Sequence, residues 1–435
     1  MGILLEVTFV ALLRRPAGAP PAGLLVWLAA AALFYLIAVT VVLRGRTPIS
    51  RRTLRFVLLA AVVFRITLLP VTPSFSRQLW RFRWDGYIQH LGFNPYAYAP
   101  DNSLFRPIRP PGSTPIPEPA MAGFHPPAAE LLFHWSYDWS AGLRSQKLLF
   151  VVFDLLVLLL LLRVLKSRRL PAAWVVIYAW SPLAVFEVAG AGHIEPVAAL
   201  LLLALLYMAE YRPRIAGILL ATAAMTQWYA LALAPRLLQA AGRRWRSTLA
   251  WLVVWPALLS LPYLFYSQHL ALARMADNIR AHARAAAPFN ASLWALWSVG
   301  GSTGAAVLSA TAVIAAIVAA GWRRLPPLRA GFLIVSTLLL VMPQLPPWHM
   351  LWLLPLVAIF PDPGWIWLSV AVLAAYALGP HPWLVWVEYV PLYGWLAWRG
   401  FHRAGANDGP GGAGASGVQP GAAAPAPAPI NGRHA

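Results

Sequence analysis

The sequence predicts an all-α, polytopic transmembrane protein, and three observations lead there. Hydrophobic residues make up 60% of the 435 residues, charged residues only 11%, and the mean hydropathy is +0.64. A soluble domain carries roughly 25% charged residues, so this chain lacks the charge to coat a water-facing surface. Long apolar runs recur along the chain, on the scale of the ~20 residues that span a bilayer core. Short arginine clusters separate the runs, the pattern that orients membrane helices by the positive-inside rule. A soluble enzyme, a secreted disulfide scaffold and a wholly disordered chain are excluded. There is no cysteine, which removes disulfides, thiolate metal sites and cysteine nucleophiles and leaves the redox compartment open.

The elements follow in chain order. Met1–Leu13 is apolar but short, and its charges (Arg14, Arg15) come after the apolar run. It reads as an interfacial or packed helix rather than a cleavable signal, and with its linker it forms a segment 1–22. A transmembrane domain 23–402 follows, with hydrophobic segments near 23–43, 56–72, 147–165, 172–190, 194–210, 215–237, 247–265, 291–320, 329–345, 348–360, 363–379 and 382–398. That is about eleven to twelve segments, with boundaries good to ~2–4 residues. Arg212 and Arg214 precede segment 215–237, and Arg243, Arg244 and Arg246 follow it. With both clusters cytoplasmic, the segment enters and returns, breaking near Thr226-Gln227. Beyond Arg403 the chain turns Gly/Ala/Pro-rich and reads as a disordered cytoplasmic tail, 403–435.

Orientation follows from the clusters at Arg44–Arg55 (including Arg46), Arg163–Arg169, Arg323–Arg329 and Arg399–Arg403. They place the long segment 73–146 on the opposite, extracytoplasmic face. The turn at Gly192-His193, the loop 266–290 and the turn at Pro346-Pro347-Trp348 share that face. The net charge of +20, from 34 basic and 14 acidic residues, is therefore a matter of topology, and no basic face interleaved with base-stacking aromatics points to nucleic acid. The 22 tryptophans read mostly as an interfacial belt.

With so few acids, their placement carries information. Asp85, Asp101, Glu118, Glu130 and Asp138 all lie in segment 73–146, and Glu187 and Glu195 flank the Gly190–His193 turn. A carboxylate near the bilayer is costly unless wet, paired or functional. The cluster points to a polar cavity opening to the outer face; ordinary pairing with Arg77, Arg81, Arg83, Arg106 and Arg109 is the alternative. Within the segment, residues 81–89 read as an amphipathic helix lying on the membrane, ended by Gly92 as C-cap and the Asn94-Pro95 turn. A second helix opens at Pro126-Pro127.

These residues resemble a family. The string W-D-G-Y-I-Q-H-L-G-F-N-P-Y-A-Y-A-P-D from Trp84 to Asp101, followed by F-H-P-P-A-A-E-L-L-F from Phe124 to Phe133, is similar to the first outer loop of bacterial polyprenyl-phosphate-dependent mannosyltransferase-like proteins of the GT-C superfamily. Gly192-His193-Ile194-Glu195 resembles the G-H-x-D/E turn. Thr226–Tyr229 stands at the K-x-x-P-type break, Phe289–Trp294 is similar to F-N-x-S-L-F, and Pro347–Pro355 to P-W-Y-L-L-W-L-L-P. The resemblance covers residues ~55–360 and implies a GT-C-like fold in the bacterial inner membrane. It implies transfer of a hexose, mannose first, from a polyprenyl-phosphate donor to an extracytoplasmic glycan or lipid acceptor.

The site residues follow from the resemblance and from general chemistry. A hydroxyl nucleophile needs a positioned base, and Asp85 is the candidate for acid/base work or for orienting the acceptor. His193 and Glu195 are candidates for positioning donor or acceptor, and Arg65 with Arg280 for contacting phosphate. Arg81, Tyr87, Asn94, His125, Asn290, Trp348 and His349 stand on motif positions implied in binding. No metal-ligand set is read from the spacing; a divalent cation to hold leaving-group charge is left open. Structural alternatives stand beside these: Asp85 as partner of Arg81 or Arg83, His193 and Glu195 as helix caps, and Arg65 in an internal ion pair. Arg274, Arg280 and Arg284 are alternatively contacts to bulk anionic lipid.

One departure matters. The family reads roughly D-x-x-R-Y-x-W-D-G, and this chain has Gln78 where the first carboxylate stands. A catalytically inactive relative that binds lipid-linked sugar or scaffolds envelope enzymes is therefore the second reading, and a lipid or sugar transporter the third.

Overall fold

In the computed structural model the described residues are 1–15, 21–45, 49–73, 75–109, 116–140, 142–264, 271–285 and 287–407. Arg46, part of the 1–22 linker and tail residues 408–435 lie outside them. Among the described residues the structure is helical, with one isolated bridge between Phe289 and Gln344. The longer helices are α1 (Gly2–Leu13), α2 (Pro21–Arg44), α3 (Arg51–Leu68), α4 (Gln78–His90), α5 (Pro127–Trp139), α6 (Leu143–Ser167), α7 (Glu195–Met208), α8 (Pro213–Thr226), α9 (Trp245–Leu264), α10 (Ala271–Ala285), α11 (Ser302–Trp322), α12 (Pro327–Val341) and α13 (Leu384–Asn407). The chain divides into a unit Met1–Leu392 and a second unit from Tyr393, whose described part is the end of α13. There Trp395 and Trp398 lie 4.8 Å apart, ring centre to ring centre. Helix α13 runs through the expected tail boundary at 403.

Among the described residues three helices are long and apolar enough to cross a membrane: Gly23–Arg44 of α2, α6, and α11. The pair Ala172–Ala179 and Pro182–Gly190, bent by 47°, makes a fourth if counted as one span. The other hydrophobic segments fold as helices too short or too polar to count among them, or are broken. Pro182 lacks an N–H and crowds the preceding turn, so segment 172–190 breaks at Ser181-Pro182. Gly301, at φ +103°, separates Leu293–Gly300 from α11. Segment 194–210 is a helix of 14 residues, about 21 Å long against a core of ~30 Å. Segment 215–237 stops at Thr226 and continues as a 3₁₀ turn, Trp228–Leu233, at the break read from the sequence.

The crossing helices present apolar side chains outward. Ile314, Val318 and Trp322 of α11 are 59%, 62% and 83% exposed, a patch that in a soluble protein would be a liability. Helix α1 is packed rather than interfacial: Leu5, Phe9 and Leu12 are buried, and Phe9 meets the Phe64 ring of α3 at 5.2 Å.

Segment 73–146 forms a folded cap. Helix α4 does not lie on a surface as expected; Leu79, Phe82, Trp84, Asp85, Gly86 and Ile88 are all buried. Trp84, Ile88 and Phe105 make a small core with Tyr87, Phe93 and Tyr98 against it. Gly86 is where α4 crosses α5: a Cβ there would stand 2.4 Å from the Phe133 carbonyl oxygen. Helix α4 ends as the glycine signal predicts. Gly92 takes φ +83°, its N–H donates to Gln89 and the Phe93 N–H to Ile88, both at 2.9 Å, closing a Schellman motif. Helix α5 opens on Pro127 with Glu130 in its first turn.

Candidate functional site

A cavity of about 680 Å³ lies where the cap meets the broken helices. Its floor is the turn that follows the bent pair. The glycine there is required twice over: Gly192 has φ +79°, and a Cβ would stand 2.8 Å from Leu79 and 3.0 Å from Lys147. The close approach seats His193 beneath α4. Nε2 of His193 lies 3.4 Å from Oε2 of Glu187, and Nδ1 lies 3.9 Å from Oε2 of Glu195. The Trp348 ring stacks on the His193 ring at 4.0 Å. Tyr376 donates its hydroxyl to both Glu187 oxygens, at 2.9 and 3.0 Å. Glu195 opens α7, as the capping alternative predicts, yet its Oε2 is buried and has no hydrogen-bond partner among the described residues.

The wall is the cap. His125 lines the cavity and, one layer behind it, Asp85 and Glu130 are fully buried. Nε of Arg81 donates to both Asp85 oxygens at 3.0 Å. Burial raises the Asp85 carboxyl above its ordinary value, and the Arg81 charge opposes it. Burial, then the neighbouring Asp85 charge, raises Glu130 well above its own, while Gln89 donates to Glu130 Oε2 at 3.0 Å. His125 is pushed down to about 3, first by burial and then by Arg81. Desolvation disfavours the charged form of each group.

The rim is a tier of rings. Phe124 stacks on His125 at 4.5 Å and on His282 of α10 at 4.0 Å. Nδ1 of His282 lies 3.2 Å from Oε2 of Glu118. That hydrogen bond holds the Glu118 carboxyl below its usual range, against partial burial. Asn278 ties α10 to the cap, donating to the carbonyls of Gly123 at 2.9 Å and Tyr96 at 3.1 Å.

The cavity gathers some of the sequence candidates and leaves others elsewhere. His125, His193, Glu195, Trp348 and His349 line it, together with Gln78. Arg65 does not: it is fully buried in an ion pair with Asp154 and donates to the carbonyls of Ala61 and Ala179, both at 2.9 Å. The internal-pair alternative is what the structure contains, since an arginine in the bundle needs a partner more than a ligand. Asp85 stands behind the wall, held by Arg81, so neither lines the cavity. Tyr87 donates to the Ile108 carbonyl at 2.8 Å, and Asn94 accepts from the Tyr96 N–H at 3.0 Å in an Asx turn; both hold the cap. Asn290, at φ +48°, donates to Glu388 at 2.8 Å and the Leu345 carbonyl at 3.2 Å. Arg280 is 63% exposed and pairs with Asp277 on its own helix.

Sequence reasoning passed over Glu118, Glu130 and Glu187 as individual site residues and did not mark His282. The acids were visible as a cluster; their contacts span up to 189 residues of sequence, as for Glu187 and Tyr376. No family model, curated protein or solved structure matches the chain.

Proposed function

We propose that the cavity transfers a hexosyl group, mannose first, from a polyprenyl-phosphate donor to a hydroxyl acceptor on the extracytoplasmic side of a bacterial inner membrane, within a GT-C-like fold. The observation that carries the reading is Glu195: a buried carboxylate oxygen without a hydrogen-bond partner, in a cavity walled by aromatic rings. Pockets that bind organic ligands are mostly apolar with a few convergent polar groups, and Trp228 and Trp348 supply aromatic lining for a sugar ring to rest on.

The step balances simply. The acceptor oxygen bonds to the anomeric carbon, the bond from that carbon to the phosphate oxygen breaks, polyprenyl phosphate leaves, and the hydroxyl proton passes to Glu195. A positioned base of this kind is worth roughly 10²–10⁴-fold. His193, braced by Glu187 and stacked on Trp348, is the positioning residue beside it. The base role moves here from Asp85 to Glu195 because Asp85 stands behind the wall and does not line the cavity, whereas Glu195 does.

The test is direct. The purified chain in proteoliposomes receives polyprenyl-phosphate [¹⁴C]mannose and a bacterial glycolipid extract, and label in the acceptor fraction is counted. Transfer that Glu195→Gln removes supports the reading; absence of transfer with both mannosyl and glucosyl donors overturns it.

One observation favours a second reading. Gln78 lines the cavity at the motif position where a carboxylate is expected, and an amide takes no proton at neutral pH. A protein that binds lipid-linked sugar without turnover would retain labelled donor, show no transfer, and gain transfer in Gln78→Asp.

A further inference from the structure

We propose that Asp85, His125 and Glu130 form a binding site for a borderline divalent cation, Zn²⁺ or Mn²⁺, set in the wall behind the cavity. Donor atoms of the three residues all lie within 4.8 Å of one another. Nδ1 of His125 is 3.7 Å from Oε1 of Glu130 and 4.0 Å from Oδ2 of Asp85. Ligands of a tetrahedral zinc, with bonds of about 2.0–2.2 Å, stand roughly 3.4 Å apart. The two His125 separations are within a few tenths of an ångström of that spacing, and the Asp85 and Glu130 oxygens, within 4.8 Å of each other, close to it by side-chain rotation of about an ångström.

An independent observation points the same way. Oε1 of Glu130 and Nδ1 of His125 are both buried, face each other, and have no hydrogen-bond partner among the described residues. Buried polar atoms are nearly always satisfied, by protein, water or an ion, and two lone-pair donors facing one gap are a geometry that a cation satisfies. The surroundings suit one. Gln89 donates to the other Glu130 oxygen at 3.0 Å and Arg81 to Asp85 at 3.0 Å, the kind of outer contacts that orient metal carboxylates.

Charge and donor type narrow the ion. One imidazole nitrogen and two carboxylate oxygens suit Zn²⁺ or Mn²⁺; there is no thiolate, and there are too few oxygens for Ca²⁺. Counting Arg81, a divalent ion brings the cluster to one net positive charge. An anionic fourth ligand, hydroxide or a phosphate oxygen, returns it to zero. The ion would tie α4, α5 and the strand of chain between them into one clamp, and this inference does not depend on sugar transfer.

The experiment uses the full chain in detergent, stripped with chelator, desalted and titrated separately with Zn²⁺ and Mn²⁺. Bound metal is measured by elemental analysis and stability by thermal unfolding. One tightly held equivalent with a raised Tm is expected, lost in His125→Ala and Glu130→Gln. Gln89→Leu should weaken binding roughly 10–100-fold, the usual cost of an outer contact. A surface rival exists at His90, His134 and Asp138, where His90 lies 2.7 Å and His134 3.4 Å from Asp138. A His90→Ala/His134→Ala double variant should therefore keep the tight equivalent. The proposal is overturned if the wild type holds no stoichiometric metal in either titration. It is equally overturned if the double variant loses the metal or Glu130→Gln keeps it. The wild-type and double-variant results decide even should the buried variants fail to fold.

Discussion

Arg65 and Asp154 in the bundle, and Glu187, His193 and Glu195 beneath the cap, are equally buried, yet they are opposite kinds of site. The first pairs opposite charges: Asp154 takes the Arg65 guanidinium and the Tyr178 hydroxyl, the latter at 2.6 Å, leaving only Nη2 of Arg65 without a hydrogen-bond partner among the described residues. The second holds two carboxylates and one imidazole, with no guanidinium or ammonium ion-paired to it among the described residues, and it opens on a cavity. A buried pair of opposite charges holds structure, because removing one partner strands the other. A buried acid that is incomplete and faces a space is available to a ligand. Asp85 falls between, paired to Arg81 but within reach of His125.

The contrast breaks first on activity. Glu195→Gln should lower transfer roughly 10²–10⁴-fold while leaving the Tm within a degree or two, since the oxygen it changes has no hydrogen-bond partner. A matched fall in Tm would make Glu195 another structural acid and erase the distinction. Asp154→Ala should do the reverse. It strands Arg65 in the bundle and costs about 3–5 kcal/mol, read as loss of monodisperse protein on size exclusion and a lower unfolding midpoint. An Asp154→Ala protein as stable as the wild type would show the pair to be dispensable.

The floor depends on Gly192 and the wall on Gly86, and these sharpen the comparison at smaller scale. Gly192→Ala meets both a positive φ and the Leu79 side chain at 2.8 Å, and should cost about 1–3 kcal/mol. Gly86→Ala pushes on the Phe133 backbone at 2.4 Å, with little room to give, and should cost a similar or larger amount by separating α4 from α5. Thermal unfolding of each variant checks both, and an unchanged midpoint in either would mean the close approach relaxes.

How much of this was legible differs by kind of signal. Local chemistry carried well: the glycine stop of α4, the proline start of α5 and the break at Thr226-Gln227 all rest on residues next to the feature they cause. The motif turn at Gly192-His193 and the aromatic Trp348 were read as parts of one site, and they stack in the structure. Where a hydrophobic segment breaks carried less well, because apolar composition is blind to Pro182 and Gly301 interrupting the helix. Partner choice did not carry either. Arg65 has its acid 89 residues away, and nothing local to it distinguishes that from a phosphate ligand. Asp85 and Arg81, four residues apart on one helix, were readable as a pair, and that alternative is the one found.

The smallest effect concerns the rim, where the sign of the pH dependence is fixed by Glu118. Its carboxyl is held below the ordinary carboxylate range, chiefly by the hydrogen bond from His282. A group with a depressed native pKa stabilises the folded arrangement at pH above its ordinary value and loses that contribution as pH falls through the lowered one. The tie between α10 and the cap should therefore hold at neutral pH and slacken in acid. Because the chain has no cysteine, Asp101→Cys/Arg280→Cys carries spin labels at those two sites alone, one on the cap and one on α10. The distance distribution should be narrow at neutral pH and broaden below the ordinary carboxylate range. Adding Glu118→Gln should make it broad at every pH. A distribution indifferent to both acid and Glu118→Gln would leave the attachment to contacts that need no Glu118 charge, the Asn278 amide, Arg274 on the Ala97 carbonyl at 3.4 Å and the Phe124–His282 stack.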